Sequence, residues 1–138
     1  MYFLKFYGST EISTIIDAMD HAIHAFDVRH IIIDNLQFMT ADQGRHIDRW
    51  ELHDRILSSL RKVATEKNVH ITIVVHPKKD GREILDVSSV FGTAKVTQEA
   101  DNVIILQRLE TDNGDMRLLD IRKNRFLFII SNDLLLIF

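Results

Sequence analysis

The chemistry this sequence can offer rests on two polar strand ends and one pair of cations. The stretch HIIIDNLQFM, residues 30–39, runs three isoleucines into Asp34 and Asn35, with Gln37 two positions on. An apolar strand ending in an aspartate is what a nucleotide hydrolase needs to orient a magnesium-bound water beside phosphates. The same pattern also serves a plain turn, because a strand-end Asp bonds its own backbone. His76 closes a second apolar run, VHITIVVH, with Lys78 and Lys79 just beyond it. Beside a phosphate, a histidine there can sense the terminal group through a hydrogen bond that hydrolysis removes; otherwise it is a structural strand-end residue. Lys123 and Arg125 stand at i and i+2 and so share a face of one strand. They either solvate an edge or carry charge to a phosphate across a subunit boundary.

The elements that must position these residues can be read from periodicity. Residues 2–6, YFLKF, read as a short strand, and Ser9 or Thr10 ahead of Glu11 offers a helix cap. Ile12, Ile15, Ile16, Met19, Ile23 and Phe26 then recur at helical spacing. HIIID has the composition of a strand buried on both faces of a parallel sheet. After a polar break at 40–44, an amphipathic helix fits 47–67, with Trp50, Ile56, Leu57, Leu60, Val63 and Ala64 on one face. The next strand fits 69–76 and stops at Pro77; residues 78–86 form a charged loop, and 88–99 are helix or loop. Residues 102–107 and 116–126 make two further strands, joined as a hairpin through the turn-forming DNGD at 112–115. Strands alternating with helices predict an α/β fold with a mainly parallel sheet and an antiparallel edge.

Composition narrows the function classes. The 138 residues are 46% hydrophobic and 27% charged, with a net charge of −3, so any nucleic-acid contact must come from a local patch. The chain has no cysteine, which removes thiol nucleophiles, disulfides and cysteine-ligated zinc. No window is long and apolar enough to predict a membrane span, and no targeting signal is visible. The histidines lack companions at metal-ligand spacing; His46, Asp48 and His53 do not share a helical face well. Ser88 and Ser89 have no nucleophile-elbow context.

Read together, HIIIDNLQFM, ITIVVHPKKD, SSVFGTAKVTQEADNVIIL and DIRKNRF resemble, in order and approximate spacing, the Twinkle family of mitochondrial replicative helicases. These are RecA-like ring motors related to phage primase–helicases and the bacterial DnaB group. The resemblance covers residues 1–126, and IDNLQFM with HPKK and QEADN is specific beyond RecA folds at large. It implies a RecA-like three-layer sandwich, mainly parallel with an antiparallel C-terminal edge and incomplete at its N-terminal side. It further implies ATP or another nucleoside triphosphate with Mg2+, single-stranded DNA and the replication fork as partners, a homo-oligomeric ring (a hexamer), 5′-to-3′ unwinding, and a mitochondrial matrix location.

By position, Asp34 matches the Walker B aspartate that holds magnesium through water, and Asn35 and Gln37 extend that nucleotide-binding strand end. His76 matches the γ-phosphate sensor. Residues 82–98 are similar to the channel-facing loop, with Arg82, Lys95 and Gln98 as DNA-binding candidates. Arg125 matches an arginine finger acting in trans, with Lys123 as its partner; such fingers are worth about 10³–10⁵ in rate. No G-x-x-x-x-G-K-[ST] occurs, and the five glycines are scattered singly. The phosphate-cradling loop and the catalytic glutamate of that family lie upstream of these motifs. The expectation is therefore a partial motor domain over 1–126, with little or no hydrolysis on its own. Residues 127–138, LFIISNDLLLIF, depart from the family pattern: seven of the twelve are Leu or Ile, as in an aberrant apolar tail. Two other readings stay open. A recombinase-type DNA-dependent ATPase would more usually carry Gln where His76 stands, and a non-catalytic module would join a helicase ring and poison it.

Overall fold

Isoleucine-rich runs of five residues preceded by amphipathic helices dictate the first half of the molecule. The computed structural model describes residues 1–6, 10–35, 39, 49–77, 84–89, 94–111, 114–126 and 134–136. They fall into two units, Met1–His76 and Pro77–Phe138. The first unit runs α1 (Ile12–Phe26), β1 (His30–Asp34), α2 (Arg49–Lys67) and β2 (His70–Val74). The second holds one 3-10 turn (Val87–Ser89), α3 (Ala94–Glu99), β3 (Asn102–Thr111), β4 (Gly114–Asn124) and β5 (Leu134–Leu136).

In the first unit, β1 and β2 pair in parallel from His30↔His70 to Asp34↔Val74. Both helices stop in the same way. Asp27 after α1 and Asn68 after α2 take the left-handed conformation, at φ 51° and 52°. The Asp27 and Val69 amides close the last turns onto the Ala22 and Ala64 carbonyls. Asp and Asn tolerate that geometry, so each helix ends without glycine and feeds directly into a strand. α2 lies against α1 and β2. The core comes from Ile15 and Met19 of α1, Leu52, Ile56, Leu57, Leu60 and Val63 of α2, and Val69. Fully burying one such aliphatic chain contributes about 1.5–3 kcal/mol.

Several expectations need correction. Residues 1–6 form no strand. Among the described residues β1 pairs only with β2, and Tyr2 instead stacks on Phe26, ring centroids 4.7 Å apart. Glu11 takes the N-cap position and makes no side-chain cap bond. β1 is not buried on both faces: exposure alternates along it, and Ile32 is 63% exposed. A lone parallel pair with helices against one side leaves the other side to solvent. Trp50, expected in the core, is 43% exposed, while His53 one turn on is fully buried and meets the indole edge-to-face. Residues 40–44 and 47, and the loop at 78–83, lie outside the described residues.

In the second unit, β3 and β4 form the expected antiparallel hairpin. Gly114 closes it at φ 113°, where a β-carbon is disfavoured. A register shift between Val103 and Ile104 leaves Arg122 as the extra residue of β4 and re-aims the strand end that carries Lys123. Leu134–Leu136, within the apolar tail, pair antiparallel with Arg117–Leu119. The segment ambiguous at 88–99 resolves into the 3-10 turn and α3. Asp86 Oδ1 accepts from the Ser88 and Ser89 amides at 2.7 and 3.1 Å, and Leu85 N–H donates to Gln107 Oε1 on β3 at 2.8 Å. The fold class is α/β, with a parallel pair and an antiparallel sheet, as the alternation of elements predicts.

Candidate functional site

Parallel pairing in register brings the carboxyl ends of β1 and β2 level, so Asp34 and His76 emerge at one rim. There Asn35 Nδ2–H donates to His76 Nε2 at 2.9 Å, joining residues 41 positions apart. Asp34 and His76 are exposed and Asn35 is half-buried; the Asp34–Asn35 peptide is cis. With the amide donating, Nε2 is the acceptor. The neutral ring then keeps its proton on Nδ1, the atom left to donate outward. Gln37 lies outside the described residues.

This rim suits one metal chemistry. Among the described residues no group of three His, Cys, Asp or Glu side chains is placed to hold a metal. Asp34 therefore offers a single exposed carboxylate, which fits Mg2+: that ion keeps most of its waters and is held by one or two carboxylates plus substrate phosphates. Zinc or calcium would need a fuller protein cage.

The cation pair stands in the second unit. Lys123 Nζ donates to the Thr97 and Gln98 carbonyls at 2.7 and 2.9 Å. Arg125 Nη2 donates to the Gln98 carbonyl at 3.3 Å, and its Nη1 lies 2.7 Å from Asp101 Oδ1. The Arg125 amide also donates to the Asp101 carbonyl at 2.8 Å. Lys123 and Arg125 thus share a face, as their spacing requires, and that face is the C-terminal end of α3. α3 itself carries Lys95, half-buried, and Gln98, exposed. Arg82 lies outside the described residues. Sequence reasoning did not single out Asp101; it sits inside the QEADN segment, but no spacing rule ties it to Arg125.

Other polar groups have structural partners. At the opposite rim, His30 shares a hydrogen bond with Thr72 Oγ1 at 2.8 Å and meets His70 edge-to-face at 4.6 Å. Buried Asp120 lies 2.5 Å from Arg122 Nε. Asp20 of α1 pairs with Lys67 at the end of α2. The Lys67 ammonium, with His24 adding to it, holds the Asp20 carboxyl below its usual range against a smaller desolvation penalty. No helix among the described residues is long and apolar enough to cross a membrane.

Two solved structures share this architecture at 17% identity. One is a KaiC-like protein, PH0186, from Pyrococcus horikoshii OT3, with a TM-score of 0.66 over 90% of this chain and 51% of that one. The other is the ATPase domain of a DnaB-like helicase, with a TM-score of 0.73 over 92% of this chain and 46% of its own. The chain therefore spans about half the length of either, and the fold it shares with them is the RecA-like ATPase fold. Residues 1–82, more than half of the chain, match the model of the AAA domain, and the protein belongs to that family.

Proposed function

We propose that the chain is part of an ATP-driven replicative DNA helicase motor of the Twinkle type, acting 5′ to 3′ on single-stranded DNA in mitochondria as a homo-oligomeric ring, a hexamer. The observation that carries this reading is the Asn35–His76 hydrogen bond at the rim that also holds Asp34. It puts a carboxylate and a proton donor where RecA-like folds take nucleotide. The motifs IDNLQFM, HPKK and QEADN support the Twinkle-type and mitochondrial assignment, and the likeness to the DnaB-like ATPase domain supports the motor fold.

In this reading Mg2+, held through water by Asp34, neutralises charge building on the terminal phosphates of ATP or another nucleoside triphosphate. His76, oriented by Asn35, donates from Nδ1 to the terminal phosphate and loses that acceptor on hydrolysis. Gln37 belongs to the same strand end. Arg125, with Lys123, offers positive charge to the neighbour's nucleotide. Arg82, Lys95 and Gln98 follow the DNA backbone. Residues 1–126 are the motor part and 127–138 an appended tail.

The 138 residues hold no phosphate-cradling loop, so turnover by the isolated chain is low. Steady-state ATPase with single-stranded DNA tests this: turnover comparable to an intact ring motor refutes it. Fluorescence anisotropy with a single-stranded oligonucleotide tests the DNA assignment. Lys95→Ala should weaken binding and reduce the salt slope by about 0.7. Binding indifferent to both the substitution and salt refutes a backbone-tracking role.

A further inference from the structure

A helix of six residues is too short to hold itself in water. α3 has one buried apolar anchor, Val96, and its last-turn carbonyls have no helical partners of their own. Lys123 and Arg125 supply those partners, at Thr97 and Gln98. Both cations also suit the negative end of the helix dipole. Arg125 is half-exposed, and Asp101 accepts its second nitrogen from the side.

We propose that Lys123 and Arg125 are a two-position clamp on the end of α3, with Asp101 as the positioning residue that parks Arg125 there, and that a polyphosphate competes with α3 for both cations. The identity of the natural competitor, a neighbouring subunit's nucleotide, rests on the function proposed above; the clamp itself does not. Backbone carbonyls and one carboxylate hold the cations now, and a polyphosphate is the stronger acceptor for them. Drawing the pair away strips two carbonyl partners from a helix that cannot spare them. The end of α3 that carries Lys95 and Gln98 then loosens, and occupancy of the anion site is read out at the candidate DNA-binding face.

Hydrogen exchange on the full 138-residue protein tests this, with inorganic tripolyphosphate as the probe. Changing Lys123 and Arg125 together to Met should speed exchange at the Gln98, Glu99 and Ala100 amides about tenfold, the scale of one lost hydrogen bond to a charged group. Tripolyphosphate should speed the same amides in the unaltered protein and leave the double variant unmoved. Asp101→Asn should tighten tripolyphosphate binding by about 1.5- to 5-fold, the range for release of a part-exposed ion pair. Asp115→Asn, which frees Arg108 at the far end of the hairpin, is the control for charge alone and should not match it. A purely structural Asp101 would not tighten anion binding at all. The proposal is overturned if the double variant exchanges like the unaltered protein, if sodium chloride of equal ionic strength reproduces the tripolyphosphate effect, or if D101N binds no better than D115N. An oligonucleotide that fails to bind while these results hold would sink the helicase reading and leave the clamp standing.

Discussion

Replacing Asn35 by Ala should change which nitrogen of His76 carries the proton. The Asn35 amide donates to Nε2 at 2.9 Å, so in the neutral ring this bond stabilises the form protonated on Nδ1. Both groups are uncharged and His76 is exposed, so water competes for the bond. Its net worth then lies in the lower part of the usual range, about 0.5–1 kcal/mol. At RT of about 0.6 kcal/mol, that biases the tautomer ratio by a factor of about 2–5. Long-range proton–nitrogen NMR correlations on the neutral ring separate the two nitrogens directly. The unaltered protein should favour Nδ1–H, and Asn35→Ala should shift the population toward Nε2–H by that factor. Asn35→Asp, whose carboxylate can only accept from a ring nitrogen, should shift it at least as far. A ring protonated mainly on Nε2 in the unaltered protein refutes the reasoning, because the amide oxygen would then be the group facing His76. Equal ratios in the unaltered protein and N35A refute it too. The outcome bears on function, since only a proton on Nδ1 is left to donate to a phosphate while Asn35 stays bonded.

Two further outcomes test the packing. Ile56 has no exposure, so Ile56→Ala should cost about 2–5 kcal/mol; Ile32→Thr, at a site 63% exposed and with β-branching kept, should cost under about 1 kcal/mol. Urea midpoints by circular dichroism compare them, and equal losses would mean that the outer face of β1 is covered after all. Lys67, with help from His24, depresses the Asp20 carboxyl in the folded state relative to its usual 3.8. That contribution is fully present above 3.8 and fades as pH falls through the lower folded value. The urea-midpoint advantage over Asp20→Asn should therefore be flat at neutral pH and vanish in acid; an advantage that survives there contradicts the pairing.

How far the fold was legible depends on whether a feature belongs to a residue or to its surroundings. HIIID and HITIV form strands because a β-branched run has few other options, and the α1 and α2 stripes follow from spacing alone. Burial did not follow. The run HIIID reads as apolar throughout, yet alternation turns Ile32 outward, and only a covering element could hide it. Residues 2–6 have strand composition and no strand partner among the described residues, and composition cannot supply one. His53 is the converse. It falls three, four and seven positions before Ile56, Leu57 and Leu60, squarely on the buried stripe, so its burial was available from spacing and hidden only by its polar type.

The site divides along the same line. Asp34 and His76 were visible as polar residues closing apolar runs, and parallel pairing between neighbours in the chain is enough to put both at one rim. The Asn35–His76 bond was not visible, because it depends on the register of two strands 41 residues apart. The cation pair goes further. Sharing a face follows from i and i+2, but three of the four acceptors that Lys123 and Arg125 reach through their side chains are main-chain carbonyls. A carbonyl belongs to every residue alike and leaves no trace in residue type. A sequence can therefore present such cations as reaching outward when the folded chain has already engaged them, and whether they act on a neighbour becomes a question of competition rather than of reach.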